Sequence, residues 1–359
     1  MAKKVVIAMS GGVDSSVAAA LLVEQGYDVT GMMLKMWVGD CDQAENACCT
    51  PESIAQARGV ASQFHIPFYV IDVKDAFKQN VVDYFIQAYQ NGLTPNPCFQ
   101  CNRTIKWGEL LKKASSMGAD FLATGHYAQI RKDENGLCHL IKSADEKKDQ
   151  TYALSGLTQT QLQHTIFPLG GLHKTEVREL ARKYGLTVSE KKDSQDLCFV
   201  GTQGYRSFLK QYGTVQAKPG LIRKISGEIM GEHQGINQFT IGQRKGLGSG
   251  LGTPHYVISL DSQKNEVIIG TQEELGQNVI ISNSFNWISG NQEKNTGTAF
   301  IKIRYKSIPV PCQYSVLENG NITIVLDKPV RDATPGQIAV LYNEDEVLGS
   351  GLIQSTKRE

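Results

Sequence analysis

The feature that most restricts the fold of this 359-residue chain is a glycine-rich loop near its N-terminus. The loop reads Ser10-Gly11-Gly12-Val13-Asp14-Ser15 and joins a short β-branched run at 5–8 to an alanine-rich helical pattern at 13–25. Adjacent glycines let the backbone approach a ligand closely, and the first turn of a helix directs unpaired N–H groups towards it. Because a helix N-terminus attracts anions, this pattern predicts a phosphate-binding loop.

Two widespread phosphate motifs do not fit this loop. A Walker A motif requires Gly-Lys-Ser or Gly-Lys-Thr next, and the dinucleotide fingerprint requires a third glycine; the loop has neither. The alternative interpretation is a tight strand-to-helix turn in which Asp14 only opens the helix.

Strand and helix patterns alternate through the first 200 residues, which predicts a doubly wound, Rossmann-like α/β domain with a parallel sheet. Ligands of such sheets bind at the carboxyl ends of the strands, so the glycine-rich loop and the segment Gly125-His126 are expected to meet there. Taken alone, His126 fits a structural role equally well. The expected strands lie at 5–8, 27–35, 67–73 and 121–124, a hairpin at 127–142, and helices at 13–25, 51–64, 76–89 and 105–117.

From Gly220 onward, short strand patterns alternate with Gly, Asn, Asp and Pro turns, which is typical of all-β sandwiches and barrels. A further change of composition at 290–297 indicates two small β domains, the last expected to be a β-barrel. The predicted domains are an α/β catalytic domain at 1–212, a small β-rich domain at 213–280 and the barrel at 281–359.

The net charge excludes a protein whose whole surface is positively charged. With 37 Lys and Arg against 36 Asp and Glu, the net charge is +1, so any nucleic-acid contact must use a local patch. No apolar stretch approaches the roughly 20 residues of a membrane span, and no secretory pattern is present. The sequence therefore predicts a cytoplasmic protein with no membrane partner, in which the eight cysteines favour thiol chemistry or metal binding over a disulfide framework.

Two cysteine segments are candidates for that chemistry. Cys98 and Cys101 form a Cys-x-x-Cys pair within 94–103, a proline-interrupted segment that is predicted to be a loop between two helices; such a pair in a loop is commonly a metal or redox pair. Cys198 follows a polar run, and a lone cysteine in such a context is usually inert. An unperturbed thiol is only about 3% ionised at pH 7. Lowering its pKa by two units requires about 2.7 kcal/mol. Neighbouring cations that could supply this energy are Arg103, Lys106, Lys191 and Lys192.

The remaining cysteines are expected to be structural: Cys41, Cys48, Cys49, Cys138 and Cys312.

An ordered set of motifs resembles the tRNA-specific 2-thiouridylases, members of the PP-loop ATP pyrophosphatase superfamily. The resemblance extends over essentially the whole chain. The motifs are Ser-Gly-Gly-Val-Asp-Ser-Ser at 10–16, Asn-Pro-x-x-x-Cys-Asn at 96–102, Ala-Thr-Gly-His-Tyr-Ala at 123–128, Lys-Asp-Gln at 148–150, Lys-Lys-Asp-Ser-x-x-x-Cys-Phe at 191–199, Thr-Ile-Gly-Gln-Arg-Lys-Gly-Leu at 240–247, Arg-Tyr at 304–305 and Pro-Gly-Gln at 335–337.

The resemblance implies an ATP-dependent sulfurtransferase that acts on the wobble uridine (U34) of tRNA. ATP with Mg²⁺ would adenylate the 2-oxygen of the base, Cys198 would carry sulfur as a persulfide, and Cys101 would be the second nucleophile. The products would be 2-thiouridine, AMP and pyrophosphate. A cysteine desulfurase or a sulfur-relay protein would supply the sulfur.

The resemblance also implies three groups of site residues. Asp14 joins Cys101 and Cys198 in the catalytic group and resembles a Mg²⁺ contact. The implied ATP-binding residues are Ala8, Met9, Ser10, Gly11, Gly12, Val13, Asp14, Ser15, Leu34 and Gly125. The implied tRNA-binding residues are Asn96, Pro97, Cys98, His126, Lys148, Asp149, Gln150, Arg304, Tyr305 and Gln337.

One position departs from the family pattern. The common family loop reads Asn-Pro-Asp, whereas Cys98 stands here in place of the aspartate. Either Cys98 takes over part of its role or that carboxylate is dispensable. Cys98, Cys101 and Cys198 could alternatively hold a [4Fe-4S] cluster, as in related thiolases, although the overall pattern favours the persulfide mechanism.

Two other functions are weighed against thiolation. The loop could activate a different substrate, as in argininosuccinate or asparagine synthesis, but that chemistry has no use for two cysteine segments. The chain could also be a non-catalytic RNA-binding module with a vestigial nucleotide site.

Two sets of residues could hold the RNA. Trp37, Phe99 and Tyr127 could stack on bases or could be ordinary core aromatics. A local basic set could contact the RNA backbone or could be a solvated surface: Arg244, Lys245, Lys302, Arg304 and Lys306.

Overall fold

The structure is a computed structural model that describes residues 2–39, 50–191, 197–201, 204–213, 218–247, 253–292, 294–331 and 333–358. Cys41, Cys48, Cys49 and Lys192 lie outside these described residues.

The N-terminal region is a doubly wound α/β domain, as the sequence predicts. Its strands are β1 (Lys4–Ala8), β2 (Asp28–Lys35), β3 (Phe68–Asp72), β4 (Phe121–Thr124), β5 (Gln129–Lys132), β6 (Cys138–Ile141) and β7 (Thr165–Ile166). Five of them form a parallel sheet in the order β3-β2-β1-β4-β7, and β5 and β6 form the predicted hairpin.

Helices cover both faces of this sheet. They are α1 (Val13–Glu24), α2 (Pro51–Gln63), α3 (Lys74–Phe77), α4 (Tyr84–Gln90), α5 (Pro97–Cys101), α6 (Leu111–Ser116), α7 (Thr151–Leu154), α8 (Gln159–Gln163), α9 (Lys174–Lys183) and α10 (Gly204–Tyr212). The central strand β1 shows why the run at 5–8 is apolar throughout. Val5 and Ile7 pack into the core beside α1 and α9, and Val6 packs into the core on the opposite face.

Two helical runs are longer than the sequence predicts. A π-helical segment, Lys78–Asp83, joins α3 to α4, and a second one, Asn102–Leu110, joins α5 to α6. The prediction that 94–103 is a loop between helices is therefore wrong for its second half. Pro97 occupies the first helical position, where proline needs no N–H partner, and Asn96 caps the helix by accepting from the Phe99 N–H at 3.0 Å.

The strands of the C-terminal half belong to two separate sheets. Strands β8 (Gly220–Lys224), β9 (Ile229–His233), β10 (Tyr256–Asp261) and β11 (Glu266–Gly270) form a sheet in the order β10-β11-β8-β9, with a 3₁₀ turn at Ile236–Gln238. This sheet packs around its own small hydrophobic core.

The last six strands form an antiparallel barrel. They are β12 (Gln277–Trp287), β13 (Thr296–Lys302), β14 (Val310–Val316), β15 (Ile322–Val330), β16 (Ile338–Asn343) and β17 (Glu346–Lys357), in the order β12-β15-β14-β13-β16-β17. Pairing of β12 with β17 closes the barrel, and β6 joins β17 from the α/β domain through Ile141 and Glu346. The predicted boundary at 280/281 falls inside β12, and the division into three domains stays a prediction.

None of the helices in the described ranges is both long and apolar enough to cross a membrane.

Candidate nucleotide and thiol site

A cavity of about 210 Å³ lies at the carboxyl ends of β1 and β4, where the strand order reverses. Ligands of doubly wound sheets bind at this position. The cavity is lined by Ala8, Met9, Ser10, Asp14, Ser15, Met32, Met33, Leu34, Met36, Lys106, Thr124, Gly125, His126 and Gln150. A larger cavity of about 780 Å³ lies against the barrel, but its lining contains none of the predicted site residues.

The glycine-rich loop has a fixed shape beside this cavity. The backbone of Gly11 is in the left-handed region, with φ of 71°, and an added Cβ would lie 2.5 Å from the Ser53 carbonyl oxygen. The Ser15 hydroxyl accepts from the Ser10 N–H at 3.2 Å and donates to the Gly12 carbonyl at 3.2 Å. Gly11, Gly12 and the buried Val13 therefore shape the loop from outside the cavity lining.

Gly125 brings the segment after β4 against the start of α1. A Cβ added at Gly125 would lie 2.7 Å from the Ser15 backbone nitrogen and 2.8 Å from the Asp14 carbonyl carbon. The absence of a side chain here therefore allows the two segments to form adjoining walls of the cavity.

Asp14 lies in a charged cluster at the cavity wall. Its carboxylate accepts from the Tyr127 hydroxyl at 2.7 Å and from the Lys174 ammonium at 2.7 and 2.8 Å. The Lys174 side chain is 11% exposed and that of Asp14 is 31% exposed. A half-exposed carboxylate with a nearly buried ammonium beside it suits a phosphate ligand and its metal ion.

His126 is a neutral part of the cavity wall. Its Nδ1 lies 2.7 Å from the Thr124 hydroxyl, and its Nε2 lies 3.2 Å from the Lys106 ammonium. Burial, reinforced by the Lys106 charge, lowers the pKa of His126 well below its usual range. These partners assign the proton to Nδ1 and let Nε2 accept from Lys106. The neutral His126 ring thus holds the Lys106 ammonium at the cavity, in addition to the Lys174 ammonium beside Asp14.

The two candidate cysteines lie on one hydrophobic cluster. Cys101 is the last residue of α5, and Cys101 and Cys198 are both half-buried and pack against this cluster, which contains the buried Phe99 and Phe199. Cys101 also belongs to the helical run that carries Lys106 into the nucleotide cavity. Only four residues separate Cys101 from Lys106 in this run.

Cys98, Cys101 and Cys198 are not grouped as the ligands of an iron–sulfur cluster would be. In the part of the chain that the structure describes, which includes Cys98, Cys101 and Cys198, no three His, Cys, Asp or Glu side chains are grouped to hold a metal ion. Cys98 is exposed at the second position of α5.

Lys148, Asp149 and Gln150 precede α7 and have different surroundings. Asp149 is buried, and its carboxylate accepts from the Thr151 hydroxyl at 2.7 Å and from two backbone N–H groups. Burial raises the pKa of Asp149. Gln150 lines the nucleotide cavity and accepts from the Tyr127 N–H at 2.9 Å, whereas Lys148 is half-buried. Their contacts to tRNA stay predictions.

The barrel brings three more predicted tRNA contacts towards α5. Gln337 donates to the Pro95 carbonyl at 3.3 Å, and Arg304 donates to the Thr334 hydroxyl at 2.9 Å. Tyr305 is 39% exposed. Burial raises the pKa of Tyr305, and the charges of Asp149 and Cys98 add to the effect. Tyr305 therefore lies within electrostatic reach of the exposed end of α5.

The other RNA candidates divide into core and surface residues. Phe99 and Tyr127 are buried, and Trp37 makes edge contacts with Phe208 and Tyr212, so all three are core aromatics. In the basic set, Lys302 and Arg304 are half-buried, whereas the exposed members are Arg244, Lys245 and Lys306.

Sequence reasoning missed Lys174 and the cavity role of Lys106. Lys174 stands 160 positions from Asp14, at the first position of α9, and only the packing of α9 beside α1 brings the two together. An Asp–Lys pair so distant in sequence leaves no local pattern.

Three family models match consecutive parts of the chain. They are described as a tRNA methyl transferase HUP domain at 3–202, a tRNA methyl transferase PRC-barrel domain at 206–271 and an aminomethyltransferase beta-barrel domain at 277–353. A solved structure of a 4-thiouridine synthetase–RNA complex with bound ATP is 18% identical, covers 59% of this chain and 50% of that chain, and has a TM-score of 0.35.

Two curated relatives are much more similar. The tRNA-specific 2-thiouridylase MnmA of Clostridium perfringens is 43% identical over 98% of this chain and 99% of its own length. The protein of the same name from Clostridium acetobutylicum is 45% identical over 99% of this chain and 100% of its own length. With identity at this level from end to end, the chain belongs to the tRNA-specific 2-thiouridylase family.

Proposed function

We propose that this chain replaces the 2-oxygen of the wobble uridine of tRNA with sulfur by adenylating that oxygen and then transferring sulfur from a Cys198 persulfide. The observation that carries the proposal is the continuous helical run from α5 to α6, which joins Cys101 to the wall of the nucleotide cavity at Lys106.

ATP occupies the cavity between β1 and β4. Its phosphates meet the N-terminus of α1, the hydroxyls of Ser10 and Ser15, and the ammonium groups of Lys106 and Lys174. Mg²⁺ enters with ATP, and Asp14 is the carboxylate placed to contact it directly or through water. Attack of the uridine 2-oxygen on the α-phosphorus releases pyrophosphate and makes that oxygen part of a good leaving group.

Sulfur transfer then needs two thiols. The terminal sulfur of the Cys198 persulfide attacks C2, and the C2–O2 bond breaks with AMP as the leaving group. The Cys101 thiolate attacks the Cys198 sulfur, so that the outgoing sulfur stays on C2 and a Cys101–Cys198 disulfide forms. In the alternative order, Cys101 attacks first and the released hydrosulfide attacks C2. Both orders end in the same disulfide.

The cycle closes outside this chain. An external dithiol reduces the disulfide, and a persulfide-bearing sulfur donor of the desulfurase or relay class reloads Cys198. The surface around α5, Tyr305 and Arg304 is proposed to hold the anticodon loop. No step is assigned to an iron–sulfur cluster, because the three candidate thiols do not form a metal-holding group.

Serine variants of the two cysteines test this proposal. Cys101→Ser and Cys198→Ser should each abolish 2-thiouridine formation, measured by nucleoside mass spectrometry, while ATP-dependent pyrophosphate release stays measurable. Cys312→Ser is the matched control, since burial raises the pKa of Cys312 to about 12 and its thiol donates to the Ala299 carbonyl in the barrel core. Wild-type thiolation by either site variant would refute the persulfide scheme. Tight RNA binding by the wild type, with no AMP released under any sulfur donor, would favour a non-catalytic module.

A further inference from the structure

The barrel makes direct backbone contact with the segment that leads into α5. The contact comes from the turn between β15 and β16 at 333–337. The Thr94 N–H donates to the Pro335 carbonyl at 2.9 Å, and the Gln337 side chain donates to the Pro95 carbonyl at 3.3 Å. Next to them, the buried Tyr152 hydroxyl donates to the Ile338 carbonyl at 3.0 Å. Two hydrogen bonds thus join the turn to the segment before α5, and the third joins α7 to the start of β16 beside them.

Gly336 lies at the centre of this contact. Its φ of 90° is in the left-handed region, and an added Cβ would lie 2.9 Å from Leu93 Cβ, 3.0 Å from the Thr94 nitrogen and 3.1 Å from the Thr94 oxygen. These neighbours are two backbone atoms and a Cβ, so no change of rotamer could relieve the overlap. Any side chain at Gly336 would therefore push the segment away from the barrel.

Displacement of this segment would be passed on to the cysteines. The segment ends at Asn96, whose side chain caps α5, and Cys98 and Cys101 lie within that one short helix. On the other side of the turn, Thr334 accepts a hydrogen bond from Arg304, a residue of the proposed RNA surface. The turn therefore touches the start of the cysteine helix and a predicted RNA contact at once.

We propose that the 333–337 turn of the barrel is a positioning element for Cys101, with Gly336 as its central positioning residue, and that it couples RNA contact at Arg304 to the placement of the thiol. This inference rests on the proposed function, because it assigns the barrel a part in the reaction of Cys101. It gives Gln337 a positioning role in addition to the predicted tRNA contact.

Gly336→Ala tests the positioning role, with Gly320→Ala as its matched control. Gly320 also has a left-handed backbone, φ 77°, in a barrel turn, but a Cβ there would meet nothing within 4 Å. Misplacing a reacting group by a fraction of an ångström should lower kcat for thiolation by about tenfold or more. The KM for tRNA should stay within about threefold, as expected when an interaction specific to the transition state is lost. Gly320→Ala should behave as the wild type.

The reactivity of the thiol is a second readout that loss of RNA binding alone would not change. In the protein without tRNA, the alkylation rate of Cys101, resolved from Cys98 by peptide mass spectrometry, should differ between Gly336→Ala and the wild type and be the same for Gly320→Ala. Unchanged kcat and unchanged alkylation in Gly336→Ala would overturn the inference. So would a raised KM for tRNA at unchanged kcat, since the turn would then be only an RNA surface.

Thr334→Val decides the case if Gly336→Ala does not fold. It removes the hydroxyl that accepts from Arg304 and keeps the shape of the side chain. The wild type should show a change in Cys101 alkylation when tRNA is added, and this change should be lost in Thr334→Val. Retention of the full change would contradict the coupling. If Cys101→Ser still thiolates tRNA, the proposed function itself fails, whereas an inactive Cys101→Ser beside a fully active Gly336→Ala refutes only the positioning role.

Discussion

The nucleotide cavity and the junction around α5 are built in different ways. Most of the cavity wall comes from the carboxyl-terminal parts of β1, β2 and β4 and from the segments that follow them. The junction instead gathers the segment before α5, the segment before α7 and two barrel turns, through contacts such as Thr94 with Pro335. The cavity is therefore complete once the α/β domain folds, whereas the cysteine helix also depends on how the barrel packs.

The two regions also differ in how their charges are balanced. In the cavity, Lys174 is paired with Asp14, and Lys106 with the neutral ring of His126. At the junction, Arg304 is bonded to a neutral hydroxyl of Thr334. The cavity thus resembles a fixed receptor for one anion, whereas the junction joins the predicted tRNA contact Arg304 to the barrel turn that meets the segment before α5. Each of the following predictions tests a part of this contrast.

The largest effect is expected from Lys174→Met. Removal of a nearly buried ammonium at the phosphate site should slow single-turnover pyrophosphate release by about 10²-fold, the usual scale for a preorganised charge that stabilises a transition state. Lys183→Met, an exposed change in the last turn of the same helix, should have no effect. If Lys174→Met released pyrophosphate at a rate within about twofold of the wild type, the Lys174 ammonium would have no role in adenylation.

Tyr127→Phe should have a smaller effect on the same step. It deletes one hydrogen bond to the Asp14 carboxylate, at 2.7 Å, and keeps the buried ring. A hydrogen bond to a charged group is worth about 1.5–3 kcal/mol, so adenylation should slow by about tenfold. The rate can be followed by pyrophosphate release, with the exposed Tyr69→Phe as control. An unchanged rate would show that Asp14 needs no second anchor.

His126→Gln should alter the pH dependence of stability. Because the pKa of His126 is lowered on folding, the unfolded chain takes up a proton near pH 6.5 that the folded chain does not. The neutral ring therefore contributes stability above pH 6.5 that is lost as the pH falls below it, by at most about 1.4 kcal/mol per pH unit. In urea unfolding between pH 7.5 and 5, the free energy of unfolding should fall less on acidification in His126→Gln than in the wild type. Parallel curves for the two proteins would contradict a neutral His126.

The smallest effect is expected from Asp149→Asn. Burial raises the pKa of this carboxyl in the folded chain. Its contribution to the free energy of unfolding therefore declines as the pH rises through the folded pKa. An amide does not ionise, so Asp149→Asn does not lose stability in this way. Stability at pH 7, measured by urea unfolding, should be unchanged or higher by about 1 kcal/mol. Thiolation should change less than about threefold, since the carboxylate faces Thr151 and backbone N–H groups. A tenfold loss of thiolation with unaltered stability would instead indicate a direct RNA contact.

The contrast between the regions also explains what could be predicted from the sequence. The strand, loop and helix around Ser10 to Ser15 lie together in the chain, so their geometry follows from local rules for glycine and helix N-termini. The parallel sheet and the β regions follow from periodicity. The sequence predicts Pro97 as part of a loop, because a proline at the first position of a helix and one that interrupts a loop look alike in sequence.

Local sequence rules do not predict contacts between residues that are far apart in the chain. Lys174 meets Asp14 only after α9 packs beside α1, and Gly336 meets Thr94 only after the barrel closes and docks. Such contacts are fixed by tertiary packing, which leaves no repeat or spacing in the sequence. The family resemblance pointed to Gln337 as a tRNA contact, while its bond to the Pro95 carbonyl required the structure.

The central claim is that Cys101 and Cys198 exchange a sulfur at an adenylated uridine. Its most direct test is a single turnover of persulfide-loaded protein with ATP and tRNA in the absence of reductant, followed by peptide mapping. The account predicts one Cys101–Cys198 disulfide for each 2-thiouridine formed, and none when ATP is omitted. Stoichiometric 2-thiouridine with both cysteines still reduced would contradict it.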